Sequence, residues 1–107
     1  MAFRVRFLPR ARQDLETIYR RVIQEAPLRG AEWFEGLERS VYSLRYHPER
    51  CPIIPELSTA TDDVRRLLHG NYPHIYKVYY HLVGQIVEIL HIRHGARREP
   101  RRETLLK

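Results

Sequence analysis

The densest run of groups able to do chemistry is His91-Ile92-Arg93-His94-Gly95-Ala96-Arg97-Arg98, close to the end of the sequence. Side chains of an extended strand alternate between faces, so His91 and Arg93 share one face and Leu90 and Ile92 the other. If Leu90 and Ile92 point into a helical layer, His91 and Arg93 project from the opposite face of a sheet. The preceding aromatic run adds either His74, Tyr76 and Tyr80 or Lys77, Tyr79 and His81 to that face. Either set interleaves cations with rings, as nucleic-acid surfaces do; the alternative is a solvated sheet face with amphipathic tyrosines. A ribonuclease built here needs one group to deprotonate a ribose 2′-hydroxyl, one to stabilise the phosphorane and one to protonate the leaving oxygen. His, Tyr and Arg side chains can fill those roles.

Other chemistries find less support. His91 and His94 have a ligand-like spacing, but a strand sends rings three residues apart to opposite faces, so neither metal nor other cofactor is expected. Gly70 and Gly84 are isolated, and the GxSxG, DxD and HExxH patterns are missing from the sequence. Cys51 is the single cysteine, beside Pro52, with no general base placed next to it. One thiol makes no internal disulfide and no cysteine zinc site.

Charge points to an anionic partner. Lys and Arg number 19 against 13 Asp and Glu, for a net charge of +6, and all but Lys77 and Lys107 of those cations are arginine. Guanidinium is a rigid fork suited to phosphates and carboxylates, although a GC-rich genome also inflates arginine over lysine. The placement is more telling: His91 to Lys107 carries Arg93, Arg97, Arg98, Arg101, Arg102 and Lys107 against Glu99 and Glu103.

These groups need a scaffold. At 107 residues and 43% apolar, one domain over residues 1–107 is expected, with residues 95–107 as a basic C-terminal arm or short helix. Phe3-Arg4-Val5-Arg6-Phe7-Leu8 alternates like a short strand, and its arginines break the apolar stretch an export signal requires, so retention in the cytoplasm is expected. Ala11, Leu15, Ile18, Tyr19, Val22, Ile23 and Ala26 line one side of a helix that Pro27 and Gly30 interrupt. Ala31, Phe34, Leu37, Val41 and Leu44 line a second, closed by Pro48, and the two should pack antiparallel. Three prolines make residues 47–63 an ordered loop anchored by Ile53-Ile54. Strands follow at 64–69, 75–83 and 86–93, with turns at Gly70-Asn71 and Gly84-Gln85. The expected fold is α+β, in the order β-α-α-β-β-β, with a helical hairpin packed on a small, mainly antiparallel sheet.

Several local strings, in this order, resemble the RelE/ParE superfamily of bacterial toxin–antitoxin toxins. They are Phe7-Leu8-Pro9-Arg10-Ala11 with Asp14-Leu15, Tyr46-His47-Pro48, Val64-Arg65-Arg66-Leu67, the Tyr72 to Tyr80 run, and above all Ile89-Leu90-His91-Ile92-Arg93-His94-Gly95-Ala96-Arg97. The resemblance implies a toxin held inactive by a cognate antitoxin, acidic in its toxin-binding segment, that lies over an apolar groove and a basic surface. RelE-like members cut mRNA in the ribosomal A site with Lys and Arg on the central strands, an Arg near the end of the last strand and often a Tyr in the C-terminal helix; by that likeness Arg66, His91 and Arg97 are the candidates for a ribonuclease site here. Here Pro73 stands where an arginine would follow Tyr72, and neither Tyr nor His occurs after His94. Val64-Arg65-Arg66-Leu67 and His94-Gly95-Ala96-Arg97 are closer to the ParE branch, whose better-known members poison DNA gyrase by binding. By that resemblance Arg65, Arg93, Arg97, Arg98 and Arg101 contact the target, Arg97 having as its alternative an internal pairing with Glu88 or a loop carbonyl. The readings to separate are therefore a gyrase inhibitor, a ribosome-dependent mRNA endonuclease acting on the ribosome with its mRNA, and a protein of this fold without toxicity.

Overall fold

Proline opens both long helices. It lacks the N–H that the first turn leaves unpaired, and its fixed φ suits helix entry. In the computed structural model, which describes residues 2–105, α1 runs Pro9–Glu25 and α2 Pro27–Tyr42, with the extended Ala26 alone between them. The second helix thus begins at Pro27, and Gly30, expected in the interruption, lies inside it. Its role there is steric. A Cβ on Gly30 would sit 2.2 Å from the Val22 carbonyl oxygen, so the missing side chain lets α2 close onto α1. Beyond that crossing Tyr19 and Phe34 meet edge to face, ring centroids 5.0 Å apart.

Strands β1 (Arg4–Phe7), β2 (Arg65–His69), β3 (Tyr76–Val83) and β4 (Ile86–His94) form one sheet in the order β1-β4-β3-β2. β1 is parallel to β4 and the other pairs are antiparallel. The sequence order is therefore the expected α+β arrangement, a helical pair on a mainly antiparallel sheet. The main core lies between helices and sheet, where Ala11, Ile18, Phe34, Leu37, Val41 and Leu44 meet Val78, Tyr80, Val87, Ile89 and Ile92. Each large side chain fully buried there contributes about 1.5–3 kcal/mol.

Strict alternation fails once, in β4. Tyr79 pairs with His91 but Tyr80 pairs with Ile89, so Leu90 is an extra residue on the β4 side, a β-bulge. Ile92 joins the helix-side core as expected. Leu90 does not: it packs in a second cluster with Ile54, Leu57, Val64, Tyr79 and Leu105 on the other face. Ile54 anchors the proline-rich loop there, whereas Ile53 is exposed and bridges to Arg65.

Residues 95–105, the described part of the expected C-terminal arm, fold back across that other face. They include a short helix, α3 (Arg102–Leu105), whose Leu105 is buried in the second cluster; residues 106 and 107 lie outside the described residues. The helix crossing generates a simple test. Gly30→Ala forces α1 and α2 apart and should cost about 1–3 kcal/mol, read as a lower urea midpoint at unchanged slope.

Candidate functional site

The register of the sheet puts two polar rows on the face away from the helices. Arg66, Tyr79 and His91 lie side by side across β2, β3 and β4, and Leu68, Lys77 and Arg93 form the next row. Of the two residue sets left open by the sequence, Lys77, Tyr79 and His81 share this face with His91 and Arg93. Tyr76 and Tyr80 belong to the helix-side core, where Arg21 donates a 2.6 Å hydrogen bond to the Tyr76 hydroxyl.

The imidazoles and phenol of this face are turned inward. His91 is 1% exposed; its Nδ1 lies 2.5 Å from the Asp14 carboxylate, and its ring stacks on Tyr79. The same Asp14 oxygen accepts the Ile92 N–H at 2.9 Å. β1 reaches only as far as Ile89 along β4, and α1 brings Asp14 to the edge beyond it. His81 sits between two carboxylates, Asp62 on Nδ1 and Glu88 on Nε2, each at 2.9 Å. Tyr79, fully buried, donates to Glu99. Burial and the Glu99 carboxylate push its phenol well above the ordinary value, so it stays protonated.

The arginine-rich segment covers the face through oxygen atoms. The Arg97 carbonyl accepts from Lys77 at 3.5 Å, the Arg98 carbonyl from Arg93 at 3.1 Å, and the Glu99 carboxylate from Arg66 at 2.5 Å and Lys77 at 3.4 Å. Further on, Arg102 donates to the Leu57 carbonyl and pairs with Asp62 at 3.5 Å. Burial works against the Glu99 charge, but the Tyr79 hydrogen bond and the Lys77 and Arg66 cations outweigh it and hold the carboxyl below its ordinary value. Arg93 is shifted down by burial and by the charge of Arg97.

The candidate residues therefore separate into two groups. Arg65 is half-buried and holds the loop, donating to the Glu49 and Cys51 carbonyls at 2.8 and 2.7 Å. Arg66, His91 and Arg93 are engaged as described. Arg97, Arg98 and Arg101 are exposed and make no ion pair among the described residues. The alternative partner for Arg97, Glu88, is instead bound by Arg6 and His81. His94 is on the helix side, edge-on to Tyr76 and lining a cleft of about 660 Å³ with Arg21, Trp33 and Tyr72, so it does not converge with His91.

Two residues that organise the site, Asp14 and Glu99, received no site role from the sequence, although Asp14 stands in one of the strings that carry the family resemblance. Asp14 falls on the buried side of α1, three residues from Ala11 and four from Ile18, where an acid is out of place. Glu99 is one of two acids in a run of cations. Such oddities are the available signal, and they mark an internal partner without naming it.

Glu88 gives the network a pH signature. Burial pushes its carboxyl up, but hydrogen bonds and charge from Arg6 and His81 more than offset this and hold it below 4.5. A depressed carboxyl stabilises the fold fully above its unfolded value and loses that contribution as pH falls through the folded one. Glu88→Gln should cost about 1–3 kcal/mol at neutral pH. In urea titrations the gap from wild type should hold steady down to about pH 4.5 and shrink below it.

The fold has counterparts among known proteins. Residues 5–99 match the family model of the ParE toxin of the type II toxin–antitoxin system parDE. Among solved structures the chain is similar to one from the chromosomal ParDE toxin–antitoxin system of P. aeruginosa, with a TM-score of 0.68 and 18% identity over 87% of this chain and 96% of that one. At that identity the likeness concerns the fold. No curated protein sequence matches. With the family model spanning nearly the whole chain, this protein belongs to the ParE toxin family of type II toxin–antitoxin systems.

Proposed function

We propose that this type II toxin acts by binding, that its target is DNA gyrase, and that its contact surface is the arginine-rich segment. One observation carries the binding reading. Every imidazole and phenol on the basic face is committed to an internal carboxylate: His91 to Asp14, His81 to Asp62 and Glu88, and Tyr79 to Glu99. Proton-transfer chemistry needs such groups within reach of a substrate. The cations, by contrast, face outward at Arg97, Arg98 and Arg101. Gyrase as the target rests on the ParE resemblance of the Val64-Arg65-Arg66-Leu67 and His94-Gly95-Ala96-Arg97 strings. Arg65 and Arg93 act in this reading by holding the loop and the segment in place.

A cognate antitoxin is the partner that a type II toxin implies. In our reading its acidic segment neutralises the arginine surface, while its apolar side chains enter the groove between α1 and α2, where Leu15, Tyr19 and Phe34 are reachable. No helix among the described residues is long and apolar enough to cross a membrane. This suits action on gyrase in the cytoplasm.

The deciding experiment adds purified protein to gyrase supercoiling and cleavage assays, with a ribosome-programmed mRNA cleavage assay in parallel. Trapped gyrase–DNA breaks with intact mRNA are expected. Codon-phased cuts in mRNA with unaffected gyrase would overturn the proposal in favour of the endonuclease, and no effect in either assay would leave a fold without toxicity. Replacing Arg97, Arg98 and Arg101 together by Ala should weaken gyrase inhibition about tenfold or more, equivalent to about 1.4 kcal/mol of binding. The melting temperature should barely move, because exposed charges contribute little to stability.

A further inference from the structure

Arg21 turns away from the nearest acid. On the exposed flanks of the two long helices, opposite charges four residues apart pair along the surface, Arg20 with Glu16 at 3.7 Å and Arg39 with Glu35 at 3.9 Å. Arg21 and Glu25 have the same spacing on α1, in the reverse order, and form no ion pair among the described residues. Arg21 instead reaches across to the sheet and donates to the Tyr76 hydroxyl at 2.6 Å, while Glu25 stays exposed. Both line the cleft of about 660 Å³ between the helix crossing and the β2–β3 turn, a size usual for a small-molecule site.

The sheet end of this cleft holds donors without acceptors. Tyr76 is 4% exposed; its hydroxyl accepts from Arg21, and its own proton meets no acceptor among the described residues. Edge-on to it, His94 accepts the Ala96 N–H on Nδ1 at 3.1 Å, so the neutral ring carries its proton on Nε2. That Nε2–H is likewise unengaged among the described residues. Glu25, one helical turn along α1 from Arg21, is the only carboxylate among the lining residues. Rings complete the walls: Trp33, packed on Tyr76 with centroids 5.1 Å apart, and Tyr72, which is 89% exposed.

We propose that this cleft binds a free aromatic amino acid, with its carboxylate on Arg21, Tyr76 and His94, its ammonium on Glu25 and its ring against Trp33 and Tyr72. The charges decide between ligand classes. A purely anionic ligand meets Glu25 as a like charge, and a purely cationic one meets Arg21 and Arg29. A zwitterion, with opposite charges separated by a single carbon, satisfies both signs at once. Side chains one turn apart on a helix stand about 5–6 Å from each other at Cβ, which leaves room for such a pair between the Arg21 and Glu25 heads. Charge-assisted bonds to both groups are the strong kind. A flat side chain then uses Trp33 and the otherwise uncovered Tyr72 ring, which a short polar one leaves in water. Direct binding by the purified chain is at issue, so the inference does not depend on gyrase being the target.

Trp33 is the chain's single tryptophan, so its fluorescence, excited beyond the absorption of phenylalanine, reports on this cleft. Titration with L-phenylalanine should give a saturable change with half-saturation at about 1 mM or below, and a saturating amount should raise the melting temperature by a few degrees. 3-Phenylpropionate lacks the ammonium and L-phenylalaninamide lacks the carboxylate; each should bind about tenfold more weakly. Glu25→Gln leaves the fold undisturbed, because Glu25 is exposed and makes no side-chain hydrogen bond among the described residues. It should weaken L-phenylalanine about tenfold without weakening 3-phenylpropionate, whereas Arg21→Ala should weaken both. Should Arg21→Ala fail to fold, the Glu25→Gln comparison still decides. No saturable change in fluorescence or melting temperature up to about 10 mM, about ten times the expected half-saturation, would overturn the proposal. Equal binding of the three compounds, or equal losses for L-phenylalanine and 3-phenylpropionate in Glu25→Gln, would do the same. So would tighter binding of uridine monophosphate than of L-phenylalanine, which would assign the cleft to a phosphate-bearing ring.

Discussion

The Asp14 carboxylate completes the edge of β4 at the point where β1 stops. β1 is four residues long and β4 nine, so β4 has N–H groups past the end of its parallel neighbour. A backbone donor at a buried edge needs an acceptor. α1 leaves β1 through Pro9 and crosses that edge, and Asp14, one turn into it, takes both the Ile92 N–H and His91 Nδ1. One side chain thus ties helix to sheet and fixes the orientation of the His91 ring. Tyr79 stacks on that ring and presents its hydroxyl to Glu99.

The bulge at Leu90 makes this possible. With strict alternation, a strand that sends Val87 and Ile89 to the helices would send His91 there too. The extra residue shifts the parity, so Ile92 returns to the core while Leu90, His91 and Arg93 face the other way. The far face then has enough apolar area around Leu90 and Tyr79 to seat Leu105, and enough cations around it to hold the segment that leads there. A second chain of polar contacts, Arg6–Glu88–His81–Asp62–Arg102, joins β1, β4, β3, the proline-rich loop and α3 on the same side. Because its carboxylates are partly buried and hydrogen-bonded, it is less screened than a surface pair.

This arrangement separates two kinds of basic residue that composition cannot distinguish. Arg65, Arg66 and Arg93 work inward on carbonyls and a carboxylate, and Arg97, Arg98 and Arg101 stand outside. The inward set stiffens the platform and the outward set gives it a field. Which arginines are open to a partner depends on this division and not on the total of +6.

The order of elements was legible in the sequence because hydrophobic periodicity is a local property: a 3.6-residue stripe in α1 and α2, and alternation in the strands. The ParE likeness was legible for a related reason, since its strings are local runs of sequence that follow one another in a fixed order. Sequence alone also placed a cation excess in the last seventeen residues. It did not reveal that Gly30 belongs inside a helix, because the reason is a backbone 2.2 Å from a missing Cβ on another element. Nor did it reveal the bulge, since one inserted residue changes face without changing composition. The pairings of His91 with Asp14, 77 positions away, and of Arg66 with Glu99, 33 away, were equally hidden. Which charges face inward is settled by contacts between distant segments, and only the folded chain brings those segments together.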